Sequence, residues 1–154
     1  MKETDIKIEE NKILNPLKGA RDYLDKVLLK KELISNALEE EDYETAWQEF
    51  ENMVDGIETL NNLLYRVEDI LELDYNQLNY QEKELNYYIN QLNVFLSNKL
   101  ITAMENKDYL RISDLINYEL EVHIKEYKKV FSYLLEYITD NEFMQLKGGM
   151  QNDE

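Results

Sequence analysis

Apolar and small residues recur along the chain in steps of three and four. From Leu17 they pass through Ala20, Leu24, Val27, Ile34 and Leu38, with Lys31 interrupting, the spacing that lines one face of an α-helix. Asn15-Pro16 stands just ahead. Asparagine is a good N-cap, and proline at the first helical position gives up an N–H that has no partner there. Further periodic runs follow Asp42-Tyr43, Asp74-Tyr75 and Asp108-Tyr109, the aspartates lying 32 and 34 residues apart. Each aspartate suits the positive end of the next helix and accepts from its free N–H groups. Ala46, Leu78 and Ile112 then stand where the next core stripe should begin. Leu73 and Leu78 also flank Asp74 in the layout of a hydrophobic staple. The pattern predicts helices over about residues 16–40, 43–73, 75–106 and 109–139, the last three each on the order of 45 Å long. Residues 1–12 and 140–154 read as frayed ends of a single domain spanning 1–154.

A competing register runs through the second junction. From Ile57 the steps Leu60, Leu64, Val67, Leu71, Asp74, Leu78, Gln81, Leu85, Tyr88, Leu92 and Phe95 keep one phase, with no glycine or proline to break it. Two all-α architectures fit: an antiparallel four-helix bundle with long helices, or a long coiled-coil arm through residue 74. Asp74 and Gln81 on the seam, and a helix far beyond the usual length, favour the bundle. There is also an echo within the chain. Ala37-Leu38-Glu39 before Asp42-Tyr43 matches Ala103-Met104-Glu105 before Asp108-Tyr109 at a shift of 66 residues. A duplicated helical hairpin gives this pattern, and so does convergence of two helix junctions on similar caps.

Composition narrows the classes. Four glycines and one proline in 154 residues are too few for the turns of a β-sandwich. Without cysteine there are no disulfides, thiolate metal sites or cysteine nucleophiles. No apolar run approaches a membrane span, and the charged Met1-Lys2-Glu3-Thr4-Asp5 start is not that of a signal peptide. The expectation is a soluble, cytoplasmic protein. Its net charge of −16 is uneven, with 15 acidic residues and the single base Arg66 between residues 32 and 82. That region serves as a solvated face, or as a docking surface for a basic partner. No basic stripe exists to bind nucleic acid.

Candidate chemistry is sparse. A di-iron bundle needs inward glutamates and Glu-x-x-His motifs, but the only histidine, His123, has leucine at position 120 and no second histidine to pair with. Ser35, Ser97, Ser113 and Ser132 all fall inside predicted helices, without the strained turn or adjacent histidine that activates a hydroxyl. No glycine-rich phosphate loop is present. The expectation is no enzyme, no catalytic or metal-binding residue, no cofactor and no small-molecule substrate.

Tyrosine is the unusual feature, at 12 residues. Taking Leu78, Leu85, Leu92 and Leu96 as the inward stripe of the third helix puts Tyr80, Tyr87, Val94 and Ile101 about 140° to 200° away, on the opposite face. A bundle covers one apolar stripe per helix, so a second stripe is surplus to the fold and reads as a partner-binding surface. Tyrosine's apolar ring with a polar tip suits such surfaces. The partner is then a second copy of the chain or another protein.

The residues Ala37-Leu38-Glu39-Glu40-Glu41-Asp42-Tyr43-Glu44-Thr45-Ala46 opening one long helix, and Leu100-Ile101-Thr102-Ala103-Met104-Glu105-Asn106-Lys107-Asp108 closing another, give the chain a further likeness. Over roughly residues 20–135 it resembles the bacterial flagellin export chaperones, small cytoplasmic helical bundles. The resemblance implies a non-enzymatic, chaperone-like adaptor. The alternatives are a structural homodimer built on long helices and an acidic regulator that docks a basic partner.

Overall fold

The structure, a computed structural model, describes residues 3–141, with side chains from Glu10 onward. It is an all-α bundle of four helices: α1 (Glu3–Glu39), α2 (Tyr43–Ile70), α3 (residues 85–105) and α4 (residues 109–140). A two-residue hairpin of β1 (Asn79–Tyr80) and β2 (Lys83–Glu84) sits between α2 and α3.

Ion pairs and hydrogen bonds between helices give their directions. Asp25, Lys31 and Ser35 of α1 meet Lys128, Glu121 and Asn117 of α4 at 2.7, 3.2 and 2.5 Å. The numbers rise on one helix as they fall on the other, so the pair is antiparallel. Lys30 pairs with Glu49 across α1 and α2, and Lys99 with Glu119 across α3 and α4. The Asn61 amide of α2 donates to Asn93 of α3 at 2.9 Å and its oxygen accepts from the Tyr127 hydroxyl of α4 at 2.6 Å. Three helices thus meet on one asparagine. Elsewhere the interior is apolar: Leu17, Leu24, Val27 and Ile34 of α1 face Met53, Ile57, Leu64 and Val67 of α2 and Leu120, Ile124 and Phe131 of α4, all essentially inaccessible. At Gly56, the close passage of the Tyr23 phenol over α2 leaves no room for a Cβ.

The first and third turns match. Asp42 N–H donates to Ala37 O, Glu41 N–H to Leu38 O and Glu40 N–H to Asn36 O, and the same three bonds recur 66 residues later at Asp108, Lys107 and Asn106. This is the Schellman closure of a helix end. Glu41 and Lys107 take the left-handed conformation it needs, at φ 57° and 53°. Each aspartate then caps the next helix, accepting from Thr45 N–H and Arg111 N–H. Tyr43 and Tyr109, equivalent under the same shift, stack with ring centroids 4.3 Å apart. Both turns therefore lie at one end of the bundle, and the duplication extends to backbone geometry.

Three expected boundaries are corrected. The first helix begins at Glu3, with Asn15 and Pro16 inside it rather than at its start. Ile13 and Leu14 are buried, so the core stripe begins before the proline. Pro16 itself is exposed, which leaves its ring and the freed carbonyl of Lys12 in water, where the break costs least. The second helix ends at Ile70 instead of 73, and the third begins at Leu85 instead of 75. The chain leaves helical geometry over residues 71–84, so no continuous arm runs through residue 74. The fourth helix lies close to its expected span, and residues 142–154 fall outside those described.

Candidate functional site

The misread junction builds the most distinctive surface. At Leu71–Leu73 the end of α2 closes with the same Schellman bonds, Glu72 taking φ 50°. In the other turns the aspartate itself receives the closing bond and caps the next helix. Here Leu73 takes that bond, to Glu68 O, and Asp74 falls one residue too late. Asp74 therefore caps only a tight turn, accepting from Asn76 N–H at 2.9 Å. Tyr75 drops into the core, fully buried, its N–H donating to Glu68 Oε2 and its hydroxyl to Leu64 O. Burial pushes its phenol pKa well above the ordinary value.

The hairpin then carries Tyr80. Gln81 and Glu82, its two central residues, both have positive φ, 49° and 71°. A two-residue turn of that shape normally uses Asn-Gly, so side chains are held here against their preference. Tyr88 of α3 holds the hairpin down, its hydroxyl donating to Tyr80 O at 2.6 Å. Around it five tyrosines form a chain of ring contacts. Tyr80 meets Tyr88 and Tyr133 edge-on at 5.8 and 6.0 Å, Tyr87 meets Tyr88 at 5.4 Å, and Tyr133 stacks on Tyr137 at 5.9 Å. Lys83 Nζ lies 5.1 Å from the centre of the Tyr87 ring. Partial burial raises the phenol pKa of Tyr88 and Tyr133, so both stay neutral donors near pH 7.

The four residues of the expected stripe do not share one face. Tyr80 precedes α3 and packs against the core edge. Tyr87 and Val94 do point outward, with exposures of 38% and 49%. Ile101 is half-buried against the core. The reason lies between them: α3 is α-helical over Leu85–Val94, π-helical over Phe95–Leu100, and α-helical again over Ile101–Glu105. Each wide turn holds an extra residue and sets back everything beyond it by about 100°. A second π segment, Leu115–Glu119, faces it in α4, and the Lys99–Glu119 pair joins the two.

Two recesses flank this end. An open cleft of about 610 Å³ is edged by Glu68, Asp69, Glu72 and Asp74. Among the described residues, no group of three or more acidic or histidine side chains is arranged to hold a metal. A smaller pocket, about 240 Å³, opens between Arg21 of α1, Tyr80 of the hairpin, and Lys129 and Tyr133 of α4. Sequence reading found Tyr80 and Tyr87 but missed Tyr88, Tyr133, Tyr137, Arg21 and Lys129. The i, i+4 pair Tyr133 and Tyr137 was the available signal. His123 lies against Phe95, centroids 4.6 Å apart, and desolvation lowers its pKa.

Fold and surface define an all-α helical bundle with a tyrosine-rich end. The chain belongs to the family described as a domain of unknown function (DUF8042), which matches residues 16–130. Tyr80, Tyr87, Val94 and Lys129 fall inside that span, whereas Tyr133 and Tyr137 fall beyond it. No curated protein and no solved structure matches the chain. Among the described residues, no helix is long and apolar enough to cross a membrane.

Proposed function

We propose that the chain is a non-enzymatic, cytoplasmic protein-binding module that receives a partner helix on the tyrosine-rich face of α3 and α4. The carrying observation is the five-tyrosine chain, with Tyr87 and Val94 exposed one helical repeat apart beside it. Rigid rings with polar tips lose little entropy on binding and are typical interface anchors. The likeness to export chaperones gives this reading its specific form, an adaptor that shields a client helix. The test is the double variant Tyr87→Lys, Val94→Glu, checked for folding by its thermal melt. A folded variant that no longer co-purifies with partners, or no longer self-associates by light scattering, supports the proposal. A folded variant that behaves as the parent overturns it.

A second reading, a homodimer joined through its long helices, draws on a different surface. Leu29 of α1 and Tyr118 and Val122 of α4 are 72%, 75% and 57% exposed, large apolar groups on antiparallel neighbours. A dimer that survives Tyr87→Lys, Val94→Glu and dissociates with Tyr118→Lys favours this reading over the first.

A further inference from the structure

The small pocket has a chemistry that the tyrosine face alone does not. Arg21 enters from α1, and its nearest acid, Asp22, approaches only to 3.8 Å, so the guanidinium fork is largely uncommitted. Lys129 enters from α4 with one contact, to Glu126 at 3.1 Å, leaving two of its three donors. Two cations thus converge on one side of a recess whose other wall is apolar, made by the Tyr80 and Tyr133 rings and Leu135. Its volume of about 240 Å³ equals on the order of eight waters, room for one residue and not for a helix.

A planar anion and an apolar body must therefore sit within one residue's span. An aspartate or glutamate side chain offers the charge without the apolar body, and an internal phenylalanine or leucine the reverse. A chain's last residue carries both. We propose that this pocket binds the C-terminal residue of a partner protein, with the carboxylate on Arg21 and Lys129 and an apolar side chain against Tyr80 and Tyr133. Glu136, on the rim, accepts the amide N–H of that residue, which fixes the direction in which the partner chain leaves. Arginine's fork suits a carboxylate in two-point contact. This inference rests on the protein-binding reading and names the end of the partner that is recognised.

The experiment is an NMR titration of the full chain with N-acetyl-phenylalanine and, separately, with its C-terminal amide. A ligand of this size binds at roughly millimolar Kd. The free acid is expected to saturate in that range and to shift resonances of Tyr80, Ser132 and Tyr133. The amide is expected to bind at least about tenfold more weakly, as are Arg21→Gln and Lys129→Gln toward the acid. Equal binding of acid and amide, no shift at those resonances, or an unchanged Arg21→Gln overturns the proposal. Its failure is distinguishable from failure of the broader reading. If the acid does not bind but Tyr87→Lys, Val94→Glu still removes a partner, the pocket proposal falls alone. If the acid binds and the double variant behaves as the parent, the tyrosine-face reading falls instead.

Discussion

The two ends of the bundle are built by opposite strategies. At one end, residues 39–43 and 105–109 each close a helix and open the next within a single turn, and one aspartate serves both purposes. At the other, one inserted residue, Leu73, separates the closing bond from the aspartate, and the chain spends 14 residues (71–84) before α3 begins. The economical turns satisfy their own backbone and present a compact stack of Tyr43, Trp47 and Tyr109. The long connection gives up regular structure and gains a strained hairpin, a buried anchor and a face of tyrosines. Strain held by surrounding packing is a mark of sites that do something beyond folding.

The largest effect expected from breaking this contrast is at Tyr75. Tyr75→Ala removes the anchor of the long connection and leaves a cavity, with a cost of about 3–5 kcal/mol in urea unfolding. Tyr75→Phe keeps the ring and costs only about 1 kcal/mol, the value of the bond to Leu64 O. The same residue sets an alkaline limit. Burial raises the phenol pKa of Tyr75 and Tyr127 above the ordinary 10.0. Unfolded phenols lose their protons first, so stability is full below about pH 10 and falls as pH rises past it. Phenylalanine at both positions should flatten that fall in a pH series of melts.

The capped end sharpens the comparison at intermediate size. Asp42→Ala and Asp108→Ala should each cost about 1 kcal/mol, and by similar amounts because their bonds are the same. Asp74→Ala should cost less, since it caps a turn that no helix continues. Equal losses at all three would mean that the inserted Leu73 is not what separates the junctions. The smallest effect is a gain. Glu82→Gly and Lys107→Gly place glycine where φ is already 71° and 53°, and each should stabilise by up to about 1 kcal/mol. If the hairpin's strain serves binding, Glu82→Gly raises the melting temperature while weakening partner capture, and Lys107→Gly raises it alone.

What the sequence revealed follows the same division. Asp42 and Asp108 were readable because cap, tyrosine and first core residue come at fixed offsets, and the structure repeats them bond for bond. Asp74-Tyr75 wears the same signature, yet the bond that decides its fate belongs to Leu73, and an apolar residue at that place also looks like a staple. Pro16 misled because its cost depends on facing water, which the neighbouring Ile13 and Leu14 settle only once packed. For the candidate site, Tyr80 and Tyr87 could be singled out, but period counting assumed 3.6 residues per turn throughout. The π segment Phe95–Leu100 breaks that assumption and turns Ile101 toward the core. Tyr133 and Tyr137 join the face only through the tertiary fold.

The account's central claim is that the tyrosine end is where this protein meets another. Its most direct test places a photo-crosslinking phenylalanine analogue at Tyr87 in the intact chain within cells, with Thr59, on the exposed acidic side of α2, as the control position. The account predicts a discrete covalent adduct from position 87, to a partner or a second copy, and none from position 59. No adduct from position 87, or the same adducts from both, would contradict it.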